Sequence, residues 1–217
     1  MGIKALISPV LEISPFDVAV DFSGVDSLVV TSANGARLMA DLGAPQNARV
    51  FAVGDRTALE AQARGFAVQS AAGDADDLVA MILAHPNPGK VLHLRGEHSR
   101  GKVAERLKDA GISCEECVVY QQIAQELTAE ALIVLAGEGH VVLPLFSPRS
   151  AALVGEAAVL GPNVWPVAMS AAVADAFGAR GGRAISVTIE PTGAAMIEEI
   201  TQLPPVRAWV EGRGMQV

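Results

Sequence analysis

The chain is poor in positive charge and in flat rings. Sixteen Lys and Arg stand against 24 Asp and Glu, for a net charge of −8, and aromatics make up only 4% of the 217 residues. Without a basic run interleaved with aromatics, the electrostatic footprint of a nucleic-acid binder is missing. No apolar run reaches the ~20 residues that a membrane span needs. The N-terminus has neither the long apolar core nor the cleavage site of a secretory signal, so the expected setting is the cytoplasm, with no membrane partner. Phosphate fingerprints are absent too: there is no Gly-x-x-x-x-Gly-Lys-Ser/Thr, and no Gly-x-Gly-x-x-Gly follows a strand. Cysteine is scarce. Cys114 and Cys117 form a Cys-x-x-Cys that leads into the strand-like Val118-Val119-Tyr120 instead of opening a helix. A redox thiol is therefore not expected there, and no further ligands stand at zinc spacing. His85, His93, His98 and His140 are scattered and read as surface or hydrogen-bonded histidines.

What the chain does have is one sentence spoken twice. The apolar run Leu28-Val29-Val30 ends in Thr31-Ser32-Ala33-Asn34-Gly35, after which Ala36, Met39 and Leu42 recur at helical spacing. That pattern predicts a buried parallel strand, a tight polar turn and a helix whose first N–H groups can hold an anion. Leu145-Phe146-Ser147-Pro148-Arg149-Ser150 aligns with Val30-Thr31-Ser32-Ala33-Asn34-Gly35 at an offset of 115. Ala52-Val53-Gly54 and Ala63-Arg64-Gly65 match Ala168-Met169-Ser170 and Ala179-Arg180-Gly181 at 116, and residues 77–82 echo 195–200 at 118. The expected fold class is α/β, in two similar lobes with parallel sheets.

In order, residues 4–7 form a short strand candidate broken by Ser8-Pro9, and 10–13 a second extended piece. Strand and helix then alternate: strands 28–31, 49–53, 67–70 and 91–96, with helices from Asn34, Arg56 and Asp74 and one over 103–110 stopped by Gly111. Asp74, Asp76 and Asp77 suit a first helical turn. Residues 117–124 match 10–13 in character, and the two pieces are expected to pair as a narrow antiparallel bridge. The other lobe runs helix from Thr128, strand 141–146, helix from Arg149, strand 164–169, helix from Ala171, strand 184–188 and helix from Thr192, a plausible N-cap. Pro204-Pro205 closes it. Such alternation implies right-handed crossovers and parallel sheets. The expected domains are 1–9 with 125–205 as lobe one and 14–117 as lobe two, joined by linker strands 10–13 and 118–124, with a loose tail at 206–217.

Ligands of open parallel sheets bind beyond the carboxyl ends of the strands. Those ends carry Thr31, Ser32 and Asn34; Gly54 and Thr57; Arg95; Ser147 and Arg149; and Ser170. Hydroxyls, turn amides and arginines gather there with no nucleophile beside a base. Each such turn also serves to cap a helix, but five of them in two lobes point to a site for a polycarboxylate rather than a nucleotide.

Over nearly its whole length the chain resembles the uroporphyrinogen-III synthase family. The residues that carry the likeness are Ser8-Pro9-Val10-Leu11-Glu12-Ile13, Val30-Thr31-Ser32-Ala33-Asn34-Gly35, Ala52-Val53-Gly54-Asp55-Arg56-Thr57-Ala58, Leu94-Arg95-Gly96, Val118-Val119-Tyr120, Phe146-Ser147-Pro148 and Pro191-Thr192. The resemblance implies two flavodoxin-like lobes joined by a two-stranded ladder, with a wide cleft between them. It implies a lyase needing no cofactor and no metal, which closes the linear tetrapyrrole polycarboxylate hydroxymethylbilane to uroporphyrinogen III with its last ring inverted. Tyr120 matches the family's cleft tyrosine, with hydrogen-bond or proton donation to the departing hydroxyl as its role. Thr31, Ser32, Thr57 and Ser147 match cleft-lining positions. Two departures stand out. The family begins with a further strand ending in an Arg and a helix ahead of Met1, which leaves a strand position expected to be filled by residues 206–210 or by a partner chain. The chain is otherwise expected to be a monomer. Met169-Ser170-Ala171-Ala172 stands where the family has a glycine and threonines. The rival reading is a hinge-type small-molecule binder or an inactive paralogue.

Overall fold

The computed structural model describes residues 4–178 and 182–211. The elements in chain order are β1 (Leu11–Pro15), β2 (Ser27–Val30), α1 (Ala33–Leu38), β3 (Arg49–Ala52), α2 (Asp55–Gln62), β4 (Val68–Ser70), α3 (Ala75–Ala84), β5 (Val91–Gly96), α4 (Val103–Asp109) and β6 (Cys114–Ala124). There follow α5 (Ala129–Ala136), β7 (Val141–Leu145), α6 (Pro148–Ala157), β8 (Val164–Ala168), α7 (Ala171–Phe177), β9 (Ser186–Val187), α8 (Gly193–Gln202) and α9 (Pro204–Val210). The chain divides into two compact units. One holds residues Ile13–Ile123, and the other joins the N-terminal segment through Glu12 to the chain from Ala124 onward.

In the first unit the sheet order is β1-β6-β5-β2-β3-β4, and β6, β5, β2, β3 and β4 run parallel. Every residue of β2 is buried, as expected of a central strand whose two faces are both covered. One face packs Leu28, Val30, Val50 and Ala52 under Ala36 of α1, Met39 at its C-cap, and Ala58 and Ala61 of α2. The opposite face packs Val29, Phe51 and Val91 under Leu78 and Ile82 of α3 and Val103 and Leu107 of α4. Asp74 opens α3 with a reciprocal capping box to Asp77, so the acidic first turn holds its own backbone donors. Cys114 packs into one of these layers and Cys117 against the other, so the two thiols lie on opposite faces of the sheet and are free. Burial pushes the Cys114 thiol up to about 11, which suits packing and not thiolate chemistry.

β1 lies beside β6. The Gln125 N–H donates to the Val10 carbonyl at 2.9 Å and the Phe16 N–H to the Val119 carbonyl at 3.0 Å, bonds whose residue numbers share one sum, as in an antiparallel pair.

The second unit has the parallel order β7-β8-β9. One face of this sheet packs Leu145, Val164 and Ala168 with α5, α6 and α7, and the other packs Val167 against Met196, Leu203 and Val206. Four expectations are corrected here. Residues 4–7 form no strand, and Ile7 is 81% exposed. The tail is not loose at its start: Pro204 and Pro205 end α8 but occupy the first turn of α9, where a missing N–H costs nothing, and Val206 is buried. Being helical, residues 206–210 fill no strand position. The third strand shrinks to Ser186–Val187, in keeping with Pro166, which offers β9 no N–H in the middle of β8. The echo at Ala179-Arg180-Gly181 and the tail beyond Glu211 lie outside the described residues.

On β7 the Val141 N–H bonds the Asn163 carbonyl and the Leu145 carbonyl accepts from Met169, so Val142 and Pro144 face away from β8. Near the other end of the sheet, Gly161 donates its N–H to Leu135, satisfying a terminal carbonyl of α5. A Cβ on Gly161 would collide with the Gly137 carbonyl oxygen. Gly161→Ala should therefore lower stability by about 1–3 kcal/mol, read from denaturant midpoints; an unchanged midpoint would show that the α5 terminus moves aside freely.

Candidate functional site

Numbered within the first unit, its parallel strands lie in the order 3-2-1-4-5, so the chain leaves β2 and β5 in opposite directions. The crevice at such a switch point, beyond the carboxyl ends of the strands, is where ligands of doubly wound sheets sit. Thr31 and Ser32 follow β2, and Arg95 and Gly96 end β5.

A register slip between Arg95 and Gly96 furnishes this crevice. Arg95 pairs with Val118 but Gly96 with Tyr120, so Val119 bulges out of the ladder and the tyrosine is re-aimed. Gly96 makes room for it: a Cβ there would stand 2.5 Å from the ring carbon Cζ of Tyr120. The ring is 4% exposed, and its phenol oxygen lies 2.8 Å from Ser32 Oγ. Ser32 is the N-cap of α1 and accepts the Gly35 N–H at 3.0 Å. A hydroxyl has two lone pairs and one proton. Since a phenol is the better donor and an alcohol the better acceptor, Gly35 and Tyr120 fill both lone pairs of Ser32. What the half-buried Ser32 can still offer is its proton.

Thr31 is backed by a second ring. His93 is fully buried, its Nε2 3.2 Å from Thr31 Oγ1 and its Nδ1 3.4 Å from Glu116 Oε1. Arg95 donates from Nε to Glu116 Oε1 at 3.0 Å and from its terminal nitrogens to Glu116 and to the carbonyls of Gly96 and Glu97. Burial pushes the imidazole down to about 4, with the nearby Glu116 carboxylate opposing that shift and Arg95 adding to it. Neither His93 nor Glu116 was anticipated as part of the site. The one signal was a lone polar residue within Val91-Leu92-His93-Leu94, an otherwise apolar strand.

The remaining expected residues are placed as follows. Asn34 lies in the first turn of α1 and accepts from Arg37, and Gly54 is the N-cap of α2. Thr57 is 6% exposed on the buried side of α2, so its hydroxyl is withdrawn from the surface. In the second unit Ser147 caps α6, accepting the Ser150 N–H at 3.2 Å, as Ser32 does in the matching turn. Arg149 lies in the first turn of α6, and Ser170 precedes α7. Thr31, Ser32, Arg95 and Tyr120 are thus brought together at one switch point, Asn34 and Gly54 belong to turns of the same unit, and Ser147, Arg149 and Ser170 belong to the other unit. Among the described residues no three His, Cys, Asp or Glu side chains gather as metal ligands, and no helix is long and apolar enough to cross a membrane.

Together these features define a two-unit α/β protein whose first unit is a doubly wound sheet with hydroxyl side chains gathered at its switch point. The profile of the family described as HEM4, uroporphyrinogen-III synthase HemD, matches residues 1–198, and the chain belongs to that family. The family's reaction is the cyclisation step of tetrapyrrole biosynthesis, catalysed by a lyase. Among solved structures, uroporphyrinogen-III synthetase from Helicobacter pylori is similar at 19% identity, over 88% of this chain and 89% of that one, with a TM-score of 0.69. A mutant uroporphyrinogen III synthase from the extremely thermophilic bacterium Thermus thermophilus is similar at 17% identity, over 94% and 88%, with a TM-score of 0.51. At these identities the two share the fold with this chain. A comparison with curated protein sequences returns no match.

The His93 environment makes stability depend on pH. With its folded value near 4 and an ordinary value of 6.5, the unfolded chain binds the extra proton between those limits. Stability is therefore complete above about pH 6.5 and declines as pH falls toward 4, by on the order of 3 kcal/mol from this one group. Denaturant unfolding at stepped pH should show the decline in the wild type and a shallower one in His93→Gln. Equal slopes would place the proton uptake elsewhere.

Proposed function

We propose that the chain closes hydroxymethylbilane to uroporphyrinogen III, with Ser32 and Tyr120 acting as a pair on the departing hydroxyl. The observation that carries this reading is the 2.8 Å contact of the Tyr120 phenol with Ser32 Oγ, the same oxygen that accepts the Gly35 N–H: with the phenol donating, both lone pairs of Ser32 are occupied and its proton is left for a ligand. Ser32 passes that proton to the leaving oxygen as it takes the phenol's. Water departs, and the resulting azafulvenium cation is attacked by the substituted carbon of the far ring. The spiro intermediate fragments and recloses, and the proton released as the attacked pyrrole ring regains aromaticity restores Tyr120. A phenol is protonated at neutral pH and suits this role. Orientation supplies the rest, by holding the chain ends in a conformer that unaided closure does not favour.

Turn N–H groups at Gly54 and Asn34 of the first unit hold acetate and propionate arms, and the turns at Ser147, Arg149 and Ser170 of the second unit offer N–H groups of the same kind. Arg95 acts at one remove, by fixing Glu116, and Thr57 by packing α2 against the sheet. The reading keeps the expectation of a cytoplasmic monomer that needs no cofactor.

Purified protein given hydroxymethylbilane should yield mainly the III isomer. Only the I isomer of spontaneous closure would leave a binder or an inactive relative. Tyr120→Phe should lower kcat about 100-fold with KM nearly unchanged, and an unaltered kcat would remove the phenol from the reaction.

A further inference from the structure

We propose that His93 is a positioning residue that turns Thr31 into a pure hydrogen-bond acceptor, so that Thr31 receives a pyrrole N–H of the substrate instead of one of its carboxylate arms. This rests on the function proposed above and assigns one of its contacts. The argument is an accounting of protons along a chain of four side chains. Glu116 is held as a carboxylate by Arg95 and can only accept. His93 Nδ1 faces it at 3.4 Å, beyond a full hydrogen bond, and has no other partner among the described residues. In a neutral imidazole one nitrogen carries the proton. If that nitrogen were Nε2, the bare lone pair of Nδ1 would be buried against a carboxylate oxygen, two negative ends in contact with no donor between them. With the proton on Nδ1, the same contact becomes attractive.

The second nitrogen is then bare, and Thr31 Oγ1, 3.2 Å away, must donate to it. The threonine has one proton and has placed it inward. The outer side of its half-buried oxygen carries lone pairs alone. A carboxylate arm approaching it would meet lone pair with lone pair, whereas a ring N–H would be bound. Hydroxymethylbilane carries four such N–H groups among its arms, so Thr31 reads the pyrrole backbone. The full burial of His93, with Thr31 at Nε2 and the Glu116 carboxylate beside the ring, keeps this polarity fixed. Its low proton affinity has the same effect.

The polarity is measured without any substrate. In 15N-labelled protein at pH 7, long-range proton–nitrogen correlation of the four histidines, with His93 assigned by its loss in His93→Gln, should show Nδ1 protonated and Nε2 bare. A His93 protonated on Nε2, or on both nitrogens, overturns the proposal. With hydroxymethylbilane, Thr31→Val should raise KM about fivefold and leave kcat within about twofold, and Thr31→Ser should restore KM. An unchanged KM in Thr31→Val also overturns it. The two arms separate the causes of failure. If the wild type makes no III isomer, the pyrrole contact falls together with the proposed function, whereas a wild type that makes it with His93 protonated on Nε2 refutes this inference alone.

Discussion

The crevice depends on one slip of register. By letting Val119 out of the ladder, β6 brings Tyr120 opposite Gly96, the one residue type that leaves space for the ring. Without the slip, strand alternation would send residue 120 to the face that buries Val29 and Phe51. Tyr120 would then be parted from Ser32 by the sheet. With it, two consecutive residues at the end of β2 each meet a ring on their own side of the sheet. Ser32 meets the phenol beneath α1, and Thr31 meets the imidazole beneath α3 and α4. The two hydroxyls therefore acquire opposite polarity from their backing.

The local grammar of this chain was plain in its residues. Ser32, Ser147, Asp74, Thr128 and Thr192 all stand as N-caps, because a side-chain oxygen at that position satisfies donors only two or three residues away. Buried strands such as Leu28-Val29-Val30 were legible for the same reason: burial on both faces leaves no polar residue in the run. What could not be read depends on partners far along the chain. Thr31 and His93 are 62 residues apart, Ser32 and Tyr120 are 88 apart, and the bulge exists only as a relation between two strands. The tail was misread because Pro204-Pro205 ends one helix and begins another, and nothing nearby in sequence shows that Met196 and Val167 wait to cover Val206.

Electrostatics and hydrogen bonding divide the work unevenly. The chain carries a net charge of −8, and the substrate of its family is a polyanion, so long-range attraction is not what gathers the ligand. Arginine does not make up the difference at the switch point, since Arg95 is engaged by Glu116 and by two carbonyls. Arg37 and Arg64 are held in the same way by Glu60. Under the proposed function, recognition in the first unit thus falls to oriented, mostly neutral groups: the Ser32 proton, the Thr31 lone pairs and turn amides. Such groups act over a few ångströms, so they specify a pose far better than they speed an encounter.

The outer margin of β7 has a separate consequence. Of the two residues that face away from β8, one is Pro144, which has no N–H. A foreign strand sliding alongside would find a single donor, at Val142, followed by a blank and the bulk of a pyrrolidine ring. Proline at a sheet margin is a recognised guard against runaway strand addition. With three strands in the second sheet among the described residues, Pro144 makes the β7 edge a poor template for an added strand, at the modest loss of one rung that a neighbour in a wider sheet would have used.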